Sequence, residues 1–234
     1  MRVAAVADLH CRSGNDGLVR ELLGSVRDEA DVLVLAGDLT DTGLPAEMGL
    51  VASALPSLGL PVVAVLGNHD HESDHAEELA VMLRDAGVCV LDATVCEIDG
   101  VGFVGTKGFC GGFGNVTVQP FGERALKSFI QTSIDEAVRL ENALARLEAP
   151  RRVAILHYAP VLDTLAGEPP ELHAFLGSGR LASALDRRSV DWIVHGHAHH
   201  GSPFGRTPGG IAVHNVCRFV RVRAGLPPYG VFDV

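Results

Sequence analysis

Lysine is almost missing from this 234-residue chain. Lys107 and Lys127 are the two present, and a net charge of −10 shows that acid outweighs base. A long basic groove for duplex nucleic acid is therefore not expected. No apolar run approaches the roughly 20 residues that a membrane helix needs, so no membrane span is expected. Cysteine is sparse and unpaired in pattern: Cys11, Cys89, Cys96, Cys110 and Cys217 are odd in number and form no CxxC. Reduced thiols fit better than a disulfide framework or a zinc knuckle. The stretch Met1–Asp8 has one arginine and a short apolar run, too little for a secretory leader, and the expected location is the cytoplasm. No GK[ST] occurs, which removes the phosphate loop of nucleotide hydrolases, and no GxSxG occurs, which removes the usual nucleophile elbow. Gly100–Gly105 matches GxGxxG but joins two strand-like runs and opens no helix, so it is no dinucleotide fingerprint.

What is present is a chain that is 47% hydrophobic, enough to bury a core. No linker, low-complexity tract or repeat interrupts it, and one domain over residues 1–234 is the simplest reading. Arg2–Ala7, Asp31–Ala36 and Val62–Leu66 have the length and composition of buried strands. Asn15–Glu29 and Ala46–Leu58 between them have helical length, with Asn15 as an N-cap and Pro56 at the second helix's end. Strand and helix thus alternate, the pattern of an α/β layer. A helix over His75–Asp85 is followed by Cys89–Leu91, Val95–Asp99 and Val101–Gly105, which read as a meander. After a Gly- and Phe-rich loop (Gly105–Gly122), Arg124–Glu148 keeps helical apolar spacing. Arg152–Leu156 and Asp191–Val194 read as strands around a helix at Leu181–Arg187. Ile211–Val216, Phe219–Arg223 and Val231–Val234 read as a terminal set of strands.

The strands keep ending in groups that bind metals. The first runs into Asp8-Leu9-His10, the second into Gly37-Asp38 and the third into Gly67-Asn68-His69-Asp70. Arg152–Leu156 ends at His157, and Asp191–Val194 runs into His195-Gly196-His197-Ala198-His199. Ligands in open α/β sheets bind beyond the carboxyl ends of strands, so five segments would deliver polar groups to one place. Carboxylate, amide and imidazole suit hard or borderline divalent cations such as Mn, Fe, Zn or Mg. Glycines 37, 67 and 196 permit sharp exits and close backbone approach. Several Asp side chains buried at strand ends need counter-charges, which cations provide.

These five blocks, in this order, resemble the calcineurin-like metallophosphoesterases. The resemblance implies a four-layer α-β-β-α sandwich, two mixed sheets flanked by helices, with a two-metal site. It places Asp8, His10, Asp38 and His199 on one ion and Asp38, Asn68, His157 and His197 on the other, with Asp38 bridging. It makes His69 the residue that touches the scissile phosphate and assists the leaving oxygen, and Asp70 either the residue that orients His69 or a cap of the helix that follows. The implied reaction is hydrolysis of a phosphate ester by a metal-bridging hydroxide, with manganese the favoured ion. A bound ion dominates the local field, so an acidic protein can still attract an anionic substrate. Gly37–Gly43 is similar to the cyclic-nucleotide phosphodiesterase branch and tilts the reading towards phosphodiesters over phosphomonoesters. The expected substrate is a small phosphate ester, with nucleotides among the candidates; the sequence assigns no oligomeric state. The alternatives are a metal-bound phosphate-binding or regulatory scaffold without turnover, and a hydrolase of amide or acyl-ester bonds.

Other residues carry blander readings. His195 and His200 flank the last block and are expected to be structural. His71 and His75, four apart, are expected in a solvated loop and helix start. His214 either approaches the site from the last sheet or is structural. Cys11 is expected to be a small buried side chain. Asp41 is expected to shape its loop. Phe109 and Phe113 could stack on a base or simply belong to a surface loop.

Overall fold

The computed structural model describes residues 1–234, apart from the Leu18 side chain. The first half alternates strand and helix: β1 (Arg2–Val6), α1 (Asp16–Val26), β2 (Val32–Ala36), α2 (Pro45–Ala54), β3 (Val62–Val65), α3 (Ala76–Asp85) and β4 (Cys89–Val90). Then come β5 (Thr94–Ile98), β6 (Val101–Thr106), α4 (Arg124–Leu144), β7 (Arg151–Leu156), α5 (His173–Leu176), α6 (Gly179–Asp186) and β8 (Trp192–His195). The chain finishes with β9 (Phe204–Arg206), β10 (Ala212–Asn215), α7 (Arg218–Arg223) and β11 (Gly230–Asp233). One sheet has the order β11-β1-β2-β3-β4 and the other β5-β6-β7-β8-β10-β9. Both are mixed: β1 to β4 run parallel with β11 antiparallel, and β6, β7, β8 and β10 run parallel between antiparallel edges.

Strand residues sort by parity into layers, because neighbours on a strand face opposite sides. Ala4, Val6, Leu33, Leu35 and Ala64 pack outward with Leu23 of α1, Val51 of α2 and Leu83 of α3. Val3, Ala5, Val32, Val34 and Val63 pack inward against Phe103, Val153, Ile155 and Val194 of the second sheet. Val104, Ala154, Leu156 and Ile193 face Leu140 and Leu144 of α4 and Leu185 of α6. The result is helices, sheet, sheet, helices, the four-layer α/β architecture expected from the sequence. No described helix is long and apolar enough to cross a membrane.

Three local expectations need correction. The meander after α3 does not form: β4 joins β3 in parallel in the first sheet, while β5 and β6 pair as a hairpin in the second. Three short strands in a row say nothing of which sheet each joins, and the crossing at Leu91–Ala93 decides it. Phe219–Arg223 is not a strand but lies in the helix α7. Six residues are too few for alternation to distinguish a strand from one and a half helical turns. Val220 and Arg221 are buried there while Phe219 and Val222 stay exposed. Asn15 holds the N-cap position of α1 without capping it: its side chain accepts from Arg12 N and donates to His10 O. It braces the loop that carries His10.

Candidate metal centre

The carboxyl ends of β1, β2 and β3 in one sheet and of β7 and β8 in the other converge. Asp8, His10, Asp38 and His199 bring ligand atoms within 4.8 Å of one another, and so do Asp38, His157 and His197. Asp38 belongs to both groups. His197 and His199, two apart in sequence, turn to different groups. Asn68 joins the second through its Oδ1, 2.9 Å from His157 Nε2.

The backbone is bent to make this possible. Asp8 (φ 61°), His10 (44°), Asp38 (51°) and His197 (69°) all occupy the left-handed region, uncommon for residues with a Cβ. Such strain persists where surrounding structure enforces it, and it concentrates at functional sites. Two glycines make room. A Cβ on Gly37 would collide with the His157 ring, and one on Gly67 would overlap the Asp38 carboxylate.

The donor atoms are arranged as if around cations. Asp38 is almost fully buried; its Oδ1 accepts from His69 N at 2.9 Å, while its Oδ2 has no partner. A buried carboxylate oxygen without a partner is costly unless a cation meets it. His157 is wholly buried, and its Nδ1 donates to Ala36 O at 2.9 Å. That leaves Nε2 facing Asn68 Oδ1 at 2.9 Å and Asp38 Oδ1 at 3.2 Å, both acceptors. Burial disfavours a charged His157, but the Asp38 carboxylate outweighs it and raises the pKa to about 9. A proton and a metal ion compete for that nitrogen. In the other group, His10 Nε2 and His199 Nε2 face each other at 3.4 Å, and His199 Nε2 is 3.0 Å from Asp8 Oδ1. Burial works against ionised Asp8 and Asp38, yet the adjacent imidazoles hold both below the usual carboxylate range. Burial pushes His197 down to about 3, so it stays neutral and able to bind a metal.

His69 sits at the rim, its ring edge-on to His10 at 4.6 Å. Its Nδ1 donates to Asp41 O at 2.6 Å, which leaves Nε2 free. The expectation that Asp70 orients this ring is not what the structure shows. Asp70 is fully buried and accepts from Gly67 N, Leu39 N, Thr40 N and Thr40 Oγ1, at 2.6 to 3.2 Å. It ties the Asn68–His69 loop to the Asp38 loop through backbone amides, and the Asp41 carbonyl aims the imidazole. A carboxylate next to a histidine in sequence need not be next to it in space.

Several bland readings fit the structure. His195 is buried between Gly196 O and Thr164 Oγ1. His214 packs among Trp192, Phe204 and Phe232 rather than at the site. Cys11 is buried, and its thiol is pushed up to about 11, which makes it unreactive. Phe113 is buried against Ala159, Leu165 and Ala198.

Sequence reasoning missed the roof. The Phe219 ring lies 5.2 Å from His199 and 6.0 Å from His10. Arg218 stacks on that ring at 4.3 Å and donates from Nε to Asp8 O at 3.0 Å. Arg223 donates to His199 O at 2.9 Å. Nothing local to 218–223 signals this, since the segment carries none of the five blocks. Tyr158, whose ring is 4.3 Å from His197, had one available signal: it directly follows His157.

Comparison with known proteins decides the family, since the model of the calcineurin-like phosphoesterases matches residues 1–201. The chain belongs to that family. It is 28% identical over 206 residues to purple acid phosphatase 4 of Arabidopsis thaliana, covering 79% of this chain and 58% of that protein. It is 29% identical over 100 residues to the glycerophosphodiester phosphodiesterase GpdQ of Enterobacter lignolyticus (strain SCF1), covering 37% of this chain and 36% of that one. The chain therefore spans less than two thirds of either relative's length. In fold it is similar to a putative 5'-nucleotidase from Staphylococcus aureus (TM-score 0.57, 18% identity, 92% of this chain and 48% of that one). It is likewise similar to GAP50, described as the anchor in the inner membrane complex of Plasmodium (TM-score 0.55, 13% identity, 94% and 72%).

Proposed function

We propose that this protein hydrolyses phosphate esters at a centre of two divalent cations and favours phosphodiesters. Asp38 carries the reading: one buried carboxylate common to both ligand groups, with Oδ2 lacking a hydrogen-bond partner among the described residues. Asp8, His10, Asp38 and His199 would hold one ion, and Asp38, Asn68, His157 and His197 the other. When bound, such a pair of cations polarises the phosphoryl oxygens and activates water near neutral pH. The chain's own part is to hold the ligands in place. Backbone amides fix Asp8 and Asp38, the Ala36 carbonyl fixes His157, and Asp70 locks two ligand loops together. His69, aimed by the Asp41 carbonyl, keeps Nε2 clear, and as the imidazolium it would hand the Nε2 proton to the departing oxygen.

That free imidazole disfavours a scaffold without turnover, which has no use for a leaving-group acid. The diester preference rests on the Gly37–Gly43 sequence. Manganese, a cytoplasmic location and one domain over the chain belong to the same proposal. The test is to strip the protein of metal, restore Mn²⁺, and compare bis-p-nitrophenyl phosphate with p-nitrophenyl phosphate, using Asp38→Ala to exclude contamination. Metal-dependent turnover that is lost in the variant and faster on the diester supports the reading. Faster hydrolysis of acyl esters than of either phosphate would overturn it.

A further inference from the structure

A pocket of about 460 Å³ opens next to the His157 side of the centre, between α3 and the segment that follows β6. Its lining is tied to the ligand loops through the backbone. Leu66 in its floor leads directly into Gly67-Asn68, and Lys107 on its rim accepts through its carbonyl from His157 N and Tyr158 N. His71, on the same rim, follows Asn68 by one turn and donates from its backbone N–H to Asn68 O. The floor also includes Ala80 and Leu91, so it is apolar. That size and lining suit a ring-bearing body.

The charges on the rim are not equally available. Arg139 is paired with Asp92 at 2.8 Å and Glu136 at 2.6 Å. Glu136 is further occupied by Thr106 Oγ1 and Gly108 N. Glu77 and Arg84, opposite in sign, are exposed on α3. Lys107 differs: among the described residues no carboxylate lies within salt-bridge distance of its ammonium. The ammonium donates to Gly108 O at 3.3 Å and rests over the Phe109 and Tyr158 rings, at 5.1 and 5.2 Å. The Tyr158 ring in turn contacts His197, so the ammonium and the second ligand group flank one aromatic side chain.

We propose that this pocket seats the part of the substrate beyond the scissile phosphate. In it Lys107, assisted by His71, selects phosphate esters whose leaving group carries a second anionic group on a ring-bearing body. The inference rests on the phosphoesterase reading and sharpens its substrate class. A paired chromogenic ester cannot show it, since neither half of such a substrate carries an anion for Lys107.

The test uses the full chain loaded with Mn²⁺ and two nucleotides that differ by one phosphate, adenosine 5'-phosphate and adenosine 3',5'-bisphosphate. Wild type should prefer the bisphosphate in kcat/KM by about tenfold or more, the scale of one charge-assisted contact. Lys107→Met, which keeps the aliphatic stem, should bring the ratio close to one. Lys107→Arg should retain most of the preference, and His71→Gln should lower it by a smaller factor. An equal ratio in wild type and Lys107→Met, or no preference in wild type, would overturn the proposal. If wild type turns over neither nucleotide, both of them phosphomonoesters, the proposed diester preference accounts for it and the pocket is tested by binding. The same comparison is then read as Kd by titration calorimetry: tenfold tighter bisphosphate binding that Lys107→Met abolishes upholds the pocket, and equal Kd values overturn it.

Discussion

The two halves of the centre are built differently. The half around His157 is sealed: His157 is wholly buried, its Nδ1 is fixed by Ala36 O, and Asn68 closes the other side. The half around His10 and His199 is buried at Asp8 and His10 and opens to the rim at His199. The His199 side chain is 33% exposed, and both rings lean on Phe219, a side chain on the short helix α7. Equal numbers of ligands therefore need not mean equal affinity. A site whose ligands are held by backbone and burial loses little freedom on binding, whereas the partly exposed His199 imidazole must be ordered by the ion itself. The sealed half should bind first and release last.

The largest test removes what the halves share. Asp38→Ala should lose both ions and lower turnover about a thousandfold or more, because both ligand groups lose their common carboxylate. Metal analysis after gel filtration, alongside rates, reads this; two retained ions would contradict the bridging role. Next, His69→Ala should keep both ions and slow the reaction about a hundredfold, the usual scale for a general acid. Loss of metal in that variant would instead make His69 a ligand.

The asymmetry itself is tested by His157→Ala against His199→Ala. Calorimetric Mn²⁺ titration should show the tighter phase weakened about a hundredfold in the first and the weaker phase about tenfold in the second. Equal losses would erase the distinction. A pH series sharpens it further. His157 titrates at about 9, so below that value a metal must displace its proton. Affinity at the sealed half should rise by about tenfold per pH unit up to about 9 and then level off. The smallest effect is expected from Asp70→Asn, which leaves the ligands intact but weakens the tie between two loops. Turnover should drop about tenfold with both ions still bound. A stronger loss than in His69→Ala would mean that Asp70 does more than position backbone.

Much of the centre was legible because metal chemistry restricts residue types and the strand ends supply them in order. Asp8, Asp38, Asn68, His157, His197 and His199 each follow an apolar run, and the structure gathers all six. The role that the resemblance gave Asp70 does not appear, because its carboxylate is taken up by backbone amides and the Thr40 hydroxyl of two loops. The reading of α7 as a strand failed because so short a segment carries no decisive period. Lys107 had no local signal at all.

Sequence alone determined the alternation of buried strands and amphipathic helices, and the candidate donor set and its order along the chain. These are local properties, set by side-chain chemistry and by the periods of strand and helix. Tertiary structure decided which strands share a sheet, that Asp38 serves both ligand groups, that α7 roofs the open half, and that the Lys107 ammonium has no carboxylate within salt-bridge distance among the described residues. Each depends on groups far apart in the chain meeting in space, and the burial that fixes their charges and partners exists only after the two sheets have packed together.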